Sequence, residues 1–128
     1  MPTTATHIST IGLVAIPTVN QDASIAFYVD KLGFEKRTDL PFGDKYRWVE
    51  VYPPSGNTGI ALAPPREGGP GAGVETGIIL NTDDIEATHS ALKSSGVDVD
   101  DEILRMGDQV PPMFWLRDPE GNSLLVVG

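Results

Sequence analysis

One turn pattern occurs twice in the chain, and this repeat is the strongest constraint on the fold. Residues 119–122, Pro-Glu-Gly-Asn, lie between two runs of aromatic and β-branched residues. Such a segment is typical of a β-hairpin turn, because proline fixes φ and glycine and asparagine tolerate positive φ. Residues 54–57, Pro-Ser-Gly-Asn, have the same spacing between similar runs, 65 positions earlier. Two hairpins are therefore predicted at equivalent places in a duplicated unit.

The rest of the unit repeats as well. Residues 20–23 correspond to residues 84–87, and both segments follow a strand-like run and open a helix-like one. Gly33 and Gly96 are predicted to end the two helices in the left-handed conformation. The predicted elements are strand 11–19, helix 22–32, strand 34–40 and hairpin 45–63, followed by strand 76–81, helix 84–95, strand 97–103 and hairpin 113–127. Each half is therefore predicted to be β-α-β-β-β.

A low-complexity segment separates the two halves. Residues 64–73 contain four glycines and three prolines, which cannot form a packed element. With only 128 residues, two independent cores are not expected. We therefore predict a single domain of two modules, at 8–64 and 74–128, joined by a linker at 65–73.

Composition excludes several classes of function. There is no cysteine, so disulfides and thiolate metal sites are excluded. The net charge of −9 argues against binding to nucleic acid or to an anionic membrane, and it would favour a cationic ligand. Many acidic proteins are simply well solvated, however, and the charge by itself selects no ligand. The sequence lacks an 18-residue apolar run, so a soluble, cytoplasmic protein is expected.

This order of motifs resembles the vicinal oxygen chelate superfamily, the group of glyoxalases, bleomycin resistance proteins and extradiol dioxygenases. The resemblance rests on residues 25–28, Ile-Ala-Phe-Tyr, followed by 32–35, Leu-Gly-Phe-Glu, on the helix start at 83–85, Asp-Asp-Ile, and on 118–122, Asp-Pro-Glu-Gly-Asn. It implies an α+β fold in which two tandem βαβββ modules curl their mixed sheet into a cup. It also implies that a ligand or a metal lies inside that cup.

The residues themselves argue against the metal chemistry of this superfamily. The resemblance implies metal ligands on the first and last strand of each module. Those positions are occupied here by Leu13, Ala61, Gly77 and Leu125, none of which can bind a divalent ion. His7 and His89 match no such position, and Glu75 is interpreted as a solvated charge at the start of a strand. No metal and no cofactor are therefore predicted.

The side chains that line the predicted cup follow from strand alternation. The ligand-binding candidates are Leu13, Trp48, Glu50, Tyr52, Met113, Trp115, Arg117 and Leu125. Glu50 is the best candidate for a catalytic group. A mostly apolar, aromatic set with a few charges is typical of a small-molecule site. Alternatively, the aromatic residues are ordinary core, and Glu50 forms a plain ion pair with Arg47 or Arg117.

Three functions remain open from the sequence. The first is binding of a small aromatic or cationic molecule in a metal-free cup, as in bleomycin resistance proteins. The second is a metal-dependent lyase, isomerase or dioxygenase of the glyoxalase type, whose metal ligands are not identified in the sequence. The third is a non-catalytic dimeric domain. A homodimer is expected in any case, because modules of about 60 residues leave half-covered sheets that a two-fold partner can cover.

Overall fold

Two four-stranded sheets and two helices make up residues 6–128, the part of the chain that the computed structural model describes. The first repeat contains β1 (Leu13–Pro17), α1 (Gln21–Ala26), β2 (Glu35–Phe42), β3 (Tyr46–Tyr52) and β4 (Gly59–Ala63). The second contains β5 (Glu75–Asn81), α2 (Ile85–Ser94), β6 (Asp98–Val99), β7 (Met113–Arg117) and β8 (Ser123–Val127). The strand orders are β1-β4-β3-β2 and β5-β8-β7-β6, so the two repeats have the same topology. The predicted α+β architecture of two βαβββ modules is confirmed.

Both helices have the capping residues that the sequence indicates. The Asn20 side chain accepts a hydrogen bond from the Ala23 N–H at 3.1 Å, and the Asp84 side chain accepts one from the Ala87 N–H at 3.0 Å. These caps satisfy backbone donors that have no partner in the first turn of a helix. Gly33 and Gly96 follow the helices with φ of 77° and 83°, as predicted.

The first helix differs from the prediction in its second half. It continues past α1 as a π-helical turn at Phe27–Lys31, where the Leu32 N–H bonds to the Phe27 carbonyl at 3.2 Å. This wider turn coincides with two adjacent buried aromatic residues, since Phe27 and Tyr28 are both inside the core. The second strand of the second repeat is also shorter than the predicted 97–103, because regular pairing with β7 ends with β6 and only an isolated bridge between Leu104 and Met113 follows.

One hydrophobic core spans both repeats. It consists of the sheet faces that carry the helices, together with residues from the helices themselves. Burial alternates along the strands, as in β3, where Val49 and Val51 are fully buried while their neighbours are partly exposed. The largest fully buried side chains are Tyr28, Phe114, Ile16, Leu62, Leu116 and Leu124. The two modules therefore share their interior, as their small size requires.

The turn at 118–122 connects the second repeat to the first. Buried Asp118 accepts the Tyr28 hydroxyl at 3.0 Å. The Glu120 carboxylate accepts the backbone N–H groups of Val19 and Asn20 at 2.7–2.9 Å, just before α1 begins. Negative charge is favourable at a helix N-terminus, so this contact stabilises the start of α1. The same turn thus holds a segment about a hundred residues distant in sequence.

The segment between β4 and β5 contains neither helix nor strand. The predicted linker, 65–73, falls within it, and the division of the chain into modules at this place stays a prediction. No helix among residues 6–128 is long and apolar enough to cross a membrane.

Candidate ligand site

Each sheet has a second face, opposite the helices, which we call the cup face. On β3 it carries Trp48, Glu50 and Tyr52, because Val49 and Val51 point into the core. On β7 and β8 it carries Met113, Trp115, Arg117 and Leu125, because Phe114, Leu116, Leu124 and Val126 are buried on the other side. Leu13 lies on the cup face of β1. The split between the two faces that alternation predicts is therefore present, and the role of these residues in binding stays a prediction.

Three cup-face residues of β3 form one hydrogen-bonded set. The Trp48 Nε1–H donates to Glu50 Oε2 at 2.7 Å, and the Tyr52 hydroxyl donates to Glu50 Oε1 at 2.8 Å. Residues two apart on a strand lie on the same face, which is why a single carboxylate reaches both. The bond to Glu50 raises the pKa of the Tyr52 hydroxyl. Glu50 therefore fixes the orientation of two aromatic rings.

The Tyr52 ring is also held from outside β3. A side chain at Gly59 would have its Cβ 2.6 Å from the Tyr52 ring, so the ring can lie over β4 only because Gly59 has no side chain. The Arg37 guanidinium lies over the ring, 4.5 Å from its centroid, in a cation–π arrangement. Arg37 is itself bonded to Glu35 and to the carbonyls of the β3–β4 turn. The Tyr52 ring is thus held in place by contacts from outside β3.

A cavity of about 620 Å³ opens at the inner end of this set. Trp48 forms part of its wall, together with Ala15 and Pro17 of β1 and Ala63 of β4. The rest of the lining comes from the segment between the repeats and the start of β5, namely Pro64, Pro65, Arg66, Pro70, Val74, Glu75 and Thr76. The lining is mostly apolar, with one charge of each sign. This volume lies within the usual range of small-molecule sites.

The cup-face residues of the second repeat have different surroundings. Arg117 forms ion pairs with Asp98 at 3.0 Å and Asp100 at 2.9 Å. Its bond to Asp98 lowers the pKa of that carboxyl group. Trp115 does not line the cavity that Trp48 lines. Met113, Trp115 and Leu125 form a half-buried apolar row across β7 and β8. The predicted cup residues therefore occupy two separate cup faces within this chain.

The ion pairs suggested for Glu50 are not present among residues 6–128. Arg47 bonds instead to Asp39 at 2.9 Å and to Asp22 at 2.8 Å. Arg117 is bonded to the β6 side as described, so neither arginine reaches Glu50. Each arginine finds a carboxylate on an adjacent element, which sequence spacing does not reveal.

Possible metal ligands are not clustered in the part of the chain that the structure describes. His89 Nε2 lies 2.6 Å from the Asp100 carbonyl oxygen, and the ring packs edge-on against Phe114 at 4.8 Å. His89 is thus a packed residue of α2. Glu75 is exposed and borders the cavity. The sequence predicted only a solvated charge at the start of a strand, and not this place in the cavity lining.

Sequence reasoning missed the role of Asn122, which is fully buried. Its side-chain oxygen accepts the N–H groups of Gly73 and Val74 at 2.8 and 3.0 Å, and its amide donates to the Pro17 carbonyl at 3.1 Å. It therefore ties the end of the linker to β1 beside the cavity. A signal was available, because the two repeats differ at neighbouring positions of the turn. Carboxylates stand at 118 and 120, where the first repeat has Pro53 and Ser55.

Comparison with known proteins agrees with this geometry. Residues 10–126 match the model of the Glyoxalase/Bleomycin resistance protein/Dioxygenase superfamily. A solved member of that superfamily from Sphaerobacter thermophilus DSM 20745 is 33% identical, with a TM-score of 0.87 over 94% of this chain and 98% of that one. TnmS3, an antibiotic binding protein from Streptomyces sp. CB03234, is 29% identical, with a TM-score of 0.81 over 94% and 95% of the two chains.

A curated relative is similar over nearly its whole length. The uncharacterized protein YetH of Bacillus subtilis (strain 168) is 27% identical over 119 residues, which are 93% of this chain and 98% of YetH. The family match covers almost all of the chain, and the fold agrees with that of the solved member over 94% of this chain. The chain belongs to the glyoxalase/bleomycin resistance protein/dioxygenase superfamily.

Proposed function

We propose that the protein binds a small aromatic or cationic molecule against the cup face of its first sheet, and that it does so without a metal. The observation that carries this proposal is the cavity of about 620 Å³ bordered by the Trp48 ring. The similarity to TnmS3 supports the class of function, since an antibiotic is a small molecule. The residues at the superfamily's ligand positions, Leu13, Ala61, Gly77 and Leu125, support the absence of a metal.

Trp48 is proposed to be the main contact for the ligand. Its Nε1–H is donated to Glu50, so we expect Trp48 to act on a ligand through its ring. A tryptophan ring stacks on flat molecules and attracts cations. The net charge of −9 favours a cationic group on the ligand further.

Glu50 is proposed to be a positioning residue in the first place. Both of its carboxylate oxygens accept a hydrogen bond from a neighbouring aromatic side chain. A role as proton acceptor would require the carboxylate to exchange one of these donors for a substrate. Binding is therefore the function proposed, and Glu50 stays the candidate if a reaction is found.

We also propose that two copies of the chain associate through their cup faces. Leu40, Ile79 and Leu104 are exposed by 59, 58 and 49%, and each is the register partner of a cup-face residue. Directly opposed residues in a sheet lie on the same face, so these apolar side chains all belong to the cup faces. A second copy would cover them, and it would bring a further cup face to the cavity beside Trp48.

Tryptophan fluorescence tests the site, because the chain has two tryptophans. Trp115→Phe leaves Trp48 as the reporter, and Trp48→Phe leaves Trp115. Titration with flat aromatic and cationic compounds should quench the Trp115→Phe variant saturably, and Trp48→Ala should weaken binding about tenfold or more. Glu50→Gln should weaken it less, since an amide still accepts one of the two bonds. Binding that is unchanged in Trp48→Ala would overturn the proposal.

A further inference from the structure

We propose that the cavity selects aromatic ligands that carry both a negative and a positive charge, with Arg66 binding the negative group and Glu75 the positive one. This inference rests on the proposed function and adds the charge of the ligand to it. Both residues border the same cavity as Trp48. The linker between the repeats is then part of the binding site as well as a connection.

The five arginines of the chain divide into two groups. Arg37, Arg47, Arg105 and Arg117 each form an ion pair with a carboxylate. Arg66 has no ion pair and no side-chain hydrogen bond among residues 6–128, and the same holds for Glu75. In a chain with twice as many acidic as basic residues, 18 against 9, an arginine without a carboxylate partner is unusual. Its donors are available to a ligand.

The Arg66 side chain is positioned by its own turn. The Gly69 N–H donates to the Arg66 carbonyl at 3.0 Å, which closes a turn over 66–69. A Cβ at Gly69 would lie 2.7 Å from Arg66 Cγ and 3.0 Å from Nε, so the arginine stem lies directly over the bare Cα of Gly69. The absence of a side chain at Gly69 therefore sets the direction of the guanidinium.

Glu75 is fixed by the second repeat. It is the first residue of β5 and pairs with Ser123 at the start of β8. The two residues before it, Gly73 and Val74, donate their N–H groups to the buried Asn122 side chain. The carboxylate therefore extends from a backbone that is bonded on both sides, and it meets the cavity in a defined place. Two unpaired opposite charges and an aromatic ring border one mostly apolar cavity, which matches an aromatic molecule with both charges.

The test compares four naphthalene compounds that share one ring system and differ in charge. They are naphthylalanine with both charges, naphthylacetate with the negative one, naphthylethylamine with the positive one, and neutral naphthylethanol. Affinities are measured by calorimetry at low salt with the full chain. Naphthylalanine should bind tightest. Each single charge should improve affinity about threefold to fivefold over naphthylethanol, the worth of an exposed ion pair, and high salt should reduce the difference.

Variants separate the two charges. Arg66→Gln should remove the preference for the carboxylate compounds over naphthylethanol, and Glu75→Gln should remove the preference for the amines over naphthylethanol. Gly69→Ala should act like Arg66→Gln, because it displaces the guanidinium while keeping its charge. Arg66→Lys should keep most of the preference. Glu67→Gln is the matched control, since it removes a charge from the same turn outside the cavity lining.

The outcomes distinguish this inference from the proposed function. Equal affinity of the four compounds, with binding still lost in Trp48→Ala, would overturn the charge selection and leave the proposed function standing. If none of the four compounds binds at millimolar concentration, both are overturned. A preference for charge that survives in Arg66→Gln and Glu75→Gln would show that other residues read the charge, and it would overturn the assignment.

Discussion

Replacing Asn122 by alanine tests the connection between the second repeat and the linker. The side chain is fully buried and makes four hydrogen bonds, to Gly73, Val74, Pro17 and Asp118. Water can replace it at exposed Gly73. The half-buried Val74 N–H and Pro17 carbonyl lose a partner that water replaces only in part, and buried Asp118 loses a donor, at a cost of about 1–3 kcal/mol for a buried group. We therefore expect the free energy of unfolding to fall by about 3 kcal/mol.

Thermal and urea unfolding measure this loss. For a chain of this size, about 3 kcal/mol corresponds to a fall of roughly 10 °C in the melting temperature. Asn57→Ala is the matched control, because Asn57 occupies the equivalent position of the first repeat and is exposed. It should change stability by no more than about 0.5 kcal/mol. A loss below about 1 kcal/mol in Asn122→Ala, or an equal loss in the two variants, would refute the reasoning.

Four further predictions follow from the contacts described above. Tyr28→Phe should cost about 1–3 kcal/mol through its lost bond to a buried carboxylate. Burial raises the pKa of Tyr28 in the folded state, so wild-type stability should fall above pH 10, where the unfolded tyrosine ionises, and Tyr28→Phe should reduce that slope in alkaline urea unfolding. Arg117 lowers the pKa of Asp98 in the folded state. The stability that this ion pair adds is therefore present above pH 3.8 and lost as the pH falls below that value, and Asp98→Asn should make acid unfolding less steep. Nickel or zinc should leave the melting temperature unchanged, whereas a metal at 100 times its dissociation constant would add about 2.7 kcal/mol. Ile79→Lys should shift the protein from dimer to monomer in light scattering, and Val19→Lys, at a similarly exposed residue that lies outside the strands of both sheets, should not; a wild-type monomer at high micromolar concentration would contradict the dimer.

The repeat was enough to predict the architecture. Turn residues, helix caps and alternation are local properties, and both copies have them, so the strands and the faces of Trp48 and Trp115 follow from the sequence. The π-helical turn after α1 was not predictable. The spacing of apolar residues does not distinguish backbone hydrogen bonds between residues four apart, as in an α-helix, from bonds between residues five apart. The short β6 was also unexpected. Beyond β6 the Asp100 N–H still donates to the Trp115 carbonyl at 3.0 Å, but the Asp100 side chain accepts the Trp115 N–H at 3.1 Å and the Arg117 guanidinium in place of further strand pairing.

The site was predicted less completely than the fold. Alternation identifies which residues share a face of a sheet, but it does not reveal which part of the chain packs against that face. Arg66 comes from a segment without periodicity, so no pattern indicated it, and Glu75 was interpreted only as a solvated charge at the start of a strand. Glu50 was placed on the correct face, yet its partners Trp48 and Tyr52 were not predicted. Both are residues of the same strand, and the suggested partners, Arg47 and Arg117, had been chosen by charge.

The 118–122 turn has a consequence for the order in which the protein folds during synthesis. The backbone at Val19 and Asn20 and the hydroxyl of Tyr28 all find their partners in residues about ninety to a hundred positions later. A ribosome-bound first repeat can pair its own strands, but the Val19 and Asn20 N–H groups before α1 lack the carboxylate that binds them until Glu120 has left the exit tunnel. Contacts so distant in sequence form late and slowly. The first repeat is therefore synthesised first, but it forms its last native contacts only after the second repeat has been synthesised.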